Sequence, residues 1–98
     1  MLTSRHQKLL AEHGLKGKYV ESDDIESVDS EIQLSYASTE ASTGYSVQIA
    51  LYGGYFVNQH GGEGEDYWMK LCGEFRDLTA ALKHAAKLAT AETARSTG

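Results

Sequence analysis

The feature that most constrains this chain is a two-residue alternation of apolar and polar residues through its middle. Val28, Ile32, Leu34 and Tyr36 share one parity against Asp29, Glu31, Gln33 and Ser35. Tyr45, Val47, Ile49 and Leu51 share one against Ser46, Gln48, Ala50 and Tyr52. Successive strand side chains point to opposite faces, so each segment is a strand with one face for a core and one for water. A third segment, Tyr67 to Cys72, sets Tyr67, Met69 and Leu71 against Trp68, Lys70 and Cys72. Ser38 to Gly44 has turn composition. Gly53-Gly54 is either a two-residue hairpin turn or a kink. Unbroken parity through Tyr55 and Val57 favours the kinked strand, leaving Asn58 to Asp66 as a mobile connection.

The ends of the chain change period. Leu2, Leu9, Leu10 and Leu15 form a short apolar stripe, with Ser4 placed to cap a helix running to His13 and Gly14 to stop it. Lys16-Gly17-Lys18 then reads as a linker, and the acidic run from Glu21 to Glu31 as a loop that becomes strand only near its end. Towards the C-terminus, Leu78, Ala81, Leu82, Ala85, Leu88 and Ala89 recur at three- and four-residue spacing. That spacing is one face of a second helix, capped by Asp77. The resulting expectation is an α+β two-layer sandwich of order α-β-β-β-α, with a fourth strand as an option. An antiparallel meander is covered on one face by two helices.

Ninety-eight residues suit a single domain over 1–98, with a core spanning about 4–93 and a frayed tail at 94–98. Arg5, His6, Gln7 and Lys8 stand where the apolar centre of a secretory signal would lie. No apolar run approaches the roughly 20 residues needed to cross a bilayer. With one cysteine, Cys72, no internal disulfide forms, and the expected location is the cytoplasm.

Charge is segregated along the chain. Residues 1–18 carry +3, residues 19–66 carry −10 without one lysine or arginine, and residues 67–98 carry +2, for a net −5. The acidic middle is expected to steer toward a basic partner, and the mildly basic helical ends offer an alternative surface suited to an anion.

Signatures of catalysis are missing. His6, His13, His60, His84 and Cys72 lack metal-ligand spacing, and no nucleophile elbow or cysteine-enzyme pattern is present. Glu63, Glu65 and Asp66 sit in a glycine-rich stretch but lack the ligand order of a calcium loop. The expectation is therefore no enzyme, no cofactor and no metal.

Aromatic residues lead further. If Tyr45, Val47, Ile49, Leu51, Tyr67, Met69 and Leu71 face the helices, the open face displays Gln33, Gln48, Tyr52, Phe56, Trp68 and Lys70. Trp68, Tyr52 and Phe56 would then anchor a protein partner. Asp23, Asp24, Glu26, Glu63, Glu65 and Asp66 would draw in its basic surface.

With Leu9-Leu10-Ala11-Glu12 early and Lys83-His84-Ala85-Ala86-Lys87 late, the element order resembles a double-stranded-RNA-binding domain in topology. That resemblance implies RNA contact through the basic helices. This chain departs from the family where it matters: its last helix opens Asp77-Leu78-Thr79-Ala80, and Ser38 to Thr43 carries Glu40 and no base. In size, acidity and single-domain economy the chain also resembles small accessory proteins of phages, including inhibitors of host defence.

The leading expectation is thus a non-catalytic protein-binding module, an inhibitor or adaptor for a basic partner. A nucleic-acid binder using Arg5, Lys8, Lys83 and Lys87 is the first alternative. A small metal- or ligand-dependent enzyme at His60, Glu63, Glu65 and Asp66 is the second. A homodimer is compatible with each.

Overall fold

The computed structural model describes residues 2–21, 28–50 and 53–97, with the backbone alone at 28–29 and 92–97. In chain order the elements are α1 (Ser4–Ala11), β1 (Leu15–Glu21), β2 (Val28–Tyr36), β3 (Ser42–Ala50), β4 (Tyr55–Gly61), β5 (Trp68–Phe75) and α2 (Leu78–Thr97), with a short 3-10 turn at Gly64–Asp66. The five strands form one antiparallel sheet in the order β1-β2-β3-β4-β5. Both helices lie on one face of it, α1 over β1 and α2 over β3, β4 and β5. The architecture is α+β, as the alternation and end periodicities require, with two strands more than the minimal reading.

Each added strand has a physical origin. The stretch read as a linker is β1, in which Leu15 is fully buried and Gly17 lies beneath α1. A Cβ on Gly17 would stand 2.9 Å from Leu10 Cδ1 and 3.1 Å from Leu2 Cδ1, so the helix seats here only on a glycine. That glycine and its flanking lysines erased the alternation. The double glycine is a hairpin rather than a kink: Gly53 N–H donates to the Ala50 carbonyl, and Ala50 N–H donates to the Gly54 carbonyl at 3.1 Å. Parity survived because an odd number of residues separates the opposed partners Ile49 and Tyr55, so both stay on the same face. The stretch read as a mobile connection contributes Asn58, Gln59, His60 and Gly61 to β4.

Thr3, rather than Ser4, caps α1. Its hydroxyl accepts the His6 N–H, while His6 Nδ1 accepts the Thr3 N–H at 3.2 Å. Nδ1 being an acceptor, the proton sits on Nε2, which faces Thr79 Oγ1 at 3.4 Å and ties α1 to α2. Gly14 ends this corner at φ 71°. Asp77 caps α2 through Oδ2, which accepts the Ala80 N–H.

Leu10, Leu15, Ile32, Leu34, Tyr45, Val47, Val57, Ala81, Leu82, Ala85, Ala86 and Ala89 make one buried cluster between the layers. The alanine-rich face of α2 lets that helix approach the sheet closely, so a chain this short still closes a core.

Candidate functional site

The face of the sheet turned away from the helices is not uniform. Across β2, β3 and β4 it presents Gln33, Ser46, Gln48 and Asn58, and Asn58 Nδ2 donates to Gln48 Oε1 at 2.8 Å. Across β5 it presents Met69 and Leu71, paired with His60 and Asn58 of β4. Among the described residues, the exposed large hydrophobics are Tyr19 (37%) and the cluster Tyr67 (55%), Trp68 (47%), Met69 (52%) and Leu71 (57%).

Met69 and Leu71 were expected to face the helices; the structure puts them on the opposite face. A β-bulge is the cause. Val57 pairs with Gly73 but the next residue, Asn58, pairs with Leu71, so Cys72 is an extra residue that reverses the parity of everything before it. Phe75 and Cys72 keep contact with the core while Met69 and Leu71 turn outward. Helix α2 holds this irregularity in place. His84 Nε2 lies 3.3 Å from the Cys72 carbonyl, which only accepts, so Nε2 is the donor. Gly73 leaves room for the reaching ring, since a Cβ there would be 2.9 Å from Phe75 and 3.4 Å from His84. Phe75 and His84 pack with centroids 5.2 Å apart.

Trp68 and Lys70 accordingly share the parity of Gln59 and Gly61, the helix-covered side, at the end of the sheet. The indole lies over Gly61, where a Cβ would meet it at 2.9 Å, and remains about half exposed. Phe56 is on the open face as expected, half-buried between Gln48 and Glu74. Glu63, Glu65 and Asp66 are exposed around the 3-10 turn that leads into β5. That turn needs Gly62 at φ 75°, because a Cβ there would collide with the Asp66 carbonyl. The fold thus brings Trp68 together with the second acidic group, beside the newly exposed Met69 and Leu71. Phe56 shares the open face with Met69 and Leu71, two residues along β4 from Asn58, the partner of Leu71, whereas Trp68 is on the other side. Tyr52, Asp23, Asp24 and Glu26 lie outside the described residues.

His60 faces this surface from β4. Its ring centroid is 6.1 Å from that of Tyr67, and its Nε2 is covered without a hydrogen-bond partner among the described residues. Gly73 was the available sign of the inversion, since a glycine inside a strand pattern marks a bulge.

The other notable surface is on the helices. A groove of about 490 Å³ between α1 and α2 is lined by Arg5, His6, Lys8, Leu9, Glu12, Thr79 and Lys83. An adjoining one of about 510 Å³ adds His13, His84 and Lys87. Among the described residues, no cluster of three histidine, cysteine or carboxylate side chains is arranged to hold a metal, and no helix is long and apolar enough to cross a membrane.

No family model matches the chain, and no similar curated protein or solved structure was found.

Proposed function

We propose that the chain is a non-catalytic protein-binding module whose contact surface is β5. The observation that carries this reading is that, among the described residues, the exposed large hydrophobics other than Tyr19 all fall within the five consecutive residues 67–71. Apolar side chains gathered at one place on a small domain are what a partner buries. Trp68 and Tyr67 supply rigid area, and Met69 supplies an adaptable surface. Glu63, Glu65 and Asp66 beside them favour a partner with a basic rim, raising the association rate more than the final affinity. An inhibitor or adaptor acts by such occlusion and needs no chemistry of its own.

Affinity capture from the native cell tests it, with the wild type and Leu71→Asp as baits. The expected result is a partner retained by the wild type, lost with Leu71→Asp, and bound less as salt rises. Retention indifferent to both changes would sink the reading.

A second reading has its own observation, the gathering of Arg5, Lys8 and Lys83 in one helical groove with Lys87 adjoining. These cations would contact phosphates. An electrophoretic shift of duplex RNA at physiological salt, lost with Lys83→Glu, is expected on this reading; no shift at micromolar protein ends it.

A further inference from the structure

The backbone hydrogen-bond phase shows which groups of β5 are free. Ala50 N–H bonds to the Gly54 carbonyl at 3.1 Å, and along an antiparallel ladder such pairs recur at every second residue. Phe56, Asn58 and His60 therefore direct their backbone groups to β3. The His60 carbonyl agrees, lying 3.0 Å from where a Cβ on Gly44 of β3 would stand. Tyr55, Val57, Gln59 and Gly61 face β5 and engage Phe75, Gly73, Lys70 and Trp68. Met69 and Leu71 are out of phase with them, so their N–H and C=O groups project from the free edge of the sheet. The same residues that expose apolar side chains also expose their backbone.

Resting on the reading of β5 as a contact surface, we propose that its occupant is β5 of a second copy, paired antiparallel about a two-fold axis through Met69. The side chains choose the axis. A two-fold through Lys70 sets two ammonium groups directly across from one another, which is destabilising. Moving the axis to Met69 sets each Lys70 across from the Trp68 indole of the other copy, a cation–π arrangement on the helix-covered side. Met69 then exchanges backbone hydrogen bonds with Met69 of the second copy. Each Leu71 N–H meets the Tyr67 carbonyl opposite. The Tyr67 N–H is already bonded to the Gly64 carbonyl at 3.3 Å, so nothing in the pairing leaves it stranded. On the open face the two Met69 side chains meet, flanked by Tyr67 against Leu71 on either side. The joined sheet doubles the apolar stripe, and the acidic turns lie beyond its ends.

Analytical ultracentrifugation of the full chain tests the proposal. A concentration-dependent monomer–dimer equilibrium is expected. Lys70→Gln should weaken it by about 5- to 30-fold, through loss of two symmetry-related exposed cation–π contacts. Strengthening by Lys70→Gln would overturn the axis, since it reports relief of facing charges. Met69→Cys in a Cys72→Ser background should be linked across the pair by a short bis-maleimide, whereas Lys8→Cys, on the helical layer, should not. A single monomeric species at every accessible concentration overturns the second copy. If that monomer still loses a captured partner on Leu71→Asp, the docking reading stands alone; if neither association is seen, both fall.

Discussion

The two edges of this sheet are built on opposite principles. At β1 the outward backbone groups of Gly17 are closed by a side chain of α1. Gln7 Nε2 donates to the Gly17 carbonyl at 3.0 Å, and the Gly17 N–H donates to Gln7 Oε1 at 3.3 Å. Lys16 and Lys18 keep that strand charged, and Lys16 is paired with Glu40 at 2.8 Å. These are the devices by which soluble sheets prevent edge-to-edge addition. At β5 the free backbone positions carry Met69 and Leu71, and no helix closes them. Of the two edges, β5 is therefore the one left open to the addition of a further strand.

The largest effect that would break this contrast is at the foundation of the protected edge. Gly17→Val should cost about 2–3 kcal/mol by driving a branched side chain into Leu10, Leu2 and Ile32, and thermal melting would show it as a loss of some 10 °C or more. A variant as stable as the wild type would mean that α1 is not seated as described.

Next comes the anchor of the open edge. His84→Leu removes the donor from the Cys72 carbonyl at the bulge and should cost about 1–2 kcal/mol by chemical denaturation. Because the bulge sets the parity, hydrogen exchange at Met69 and Leu71 should change with it. Gln7→Ala should cost about 1 kcal/mol and uncover the β1 edge, so that variant should self-associate through a surface the wild type lacks. By contrast, Leu71→Asp should leave the monomer's stability within about 0.5 kcal/mol, since its side chain is already in water. Only its associations should suffer, and a large loss of stability would place Leu71 in the core after all.

The smallest expected effect is electrostatic. The hydrogen bond and charge of Lys16 hold the Glu40 carboxyl below its ordinary range. A carboxyl lowered by folding stabilises the native state above its unfolded value, and that contribution disappears as pH falls through the lowered one. Lys16→Met should therefore flatten the acid limb of the stability curve slightly, and both groups being exposed, only slightly.

How much of this was legible beforehand varied with the kind of signal. β2 was read at its true limits, Val28–Tyr36, because Ile32 and Leu34 alternate with polar residues on a sheet with one wet face. The face of α2 was equally plain from its alanine and leucine spacing. β1 was missed because its central inward position is a glycine, chosen for what packs on it rather than for hydrophobicity. The candidate surface was half legible: Trp68 and the acids Glu63, Glu65 and Asp66 stand out by type, whereas Met69 and Leu71 were assigned to the wrong side.

Local pattern by itself determined that two helices would cover a sheet, and which side of β2 and β3 would be dry, since burial demands a periodicity that can be counted. Tertiary structure alone decided which way β5 turns and which edge stays open. One extra residue at Cys72 reverses a strand's parity without altering its composition, and its carbonyl is satisfied by a histidine 12 positions away on another element. A single side chain, Gln7, closes a strand 10 positions further on. Such contacts join residues whose separation along the chain carries no period, so they take effect only once the layers have met.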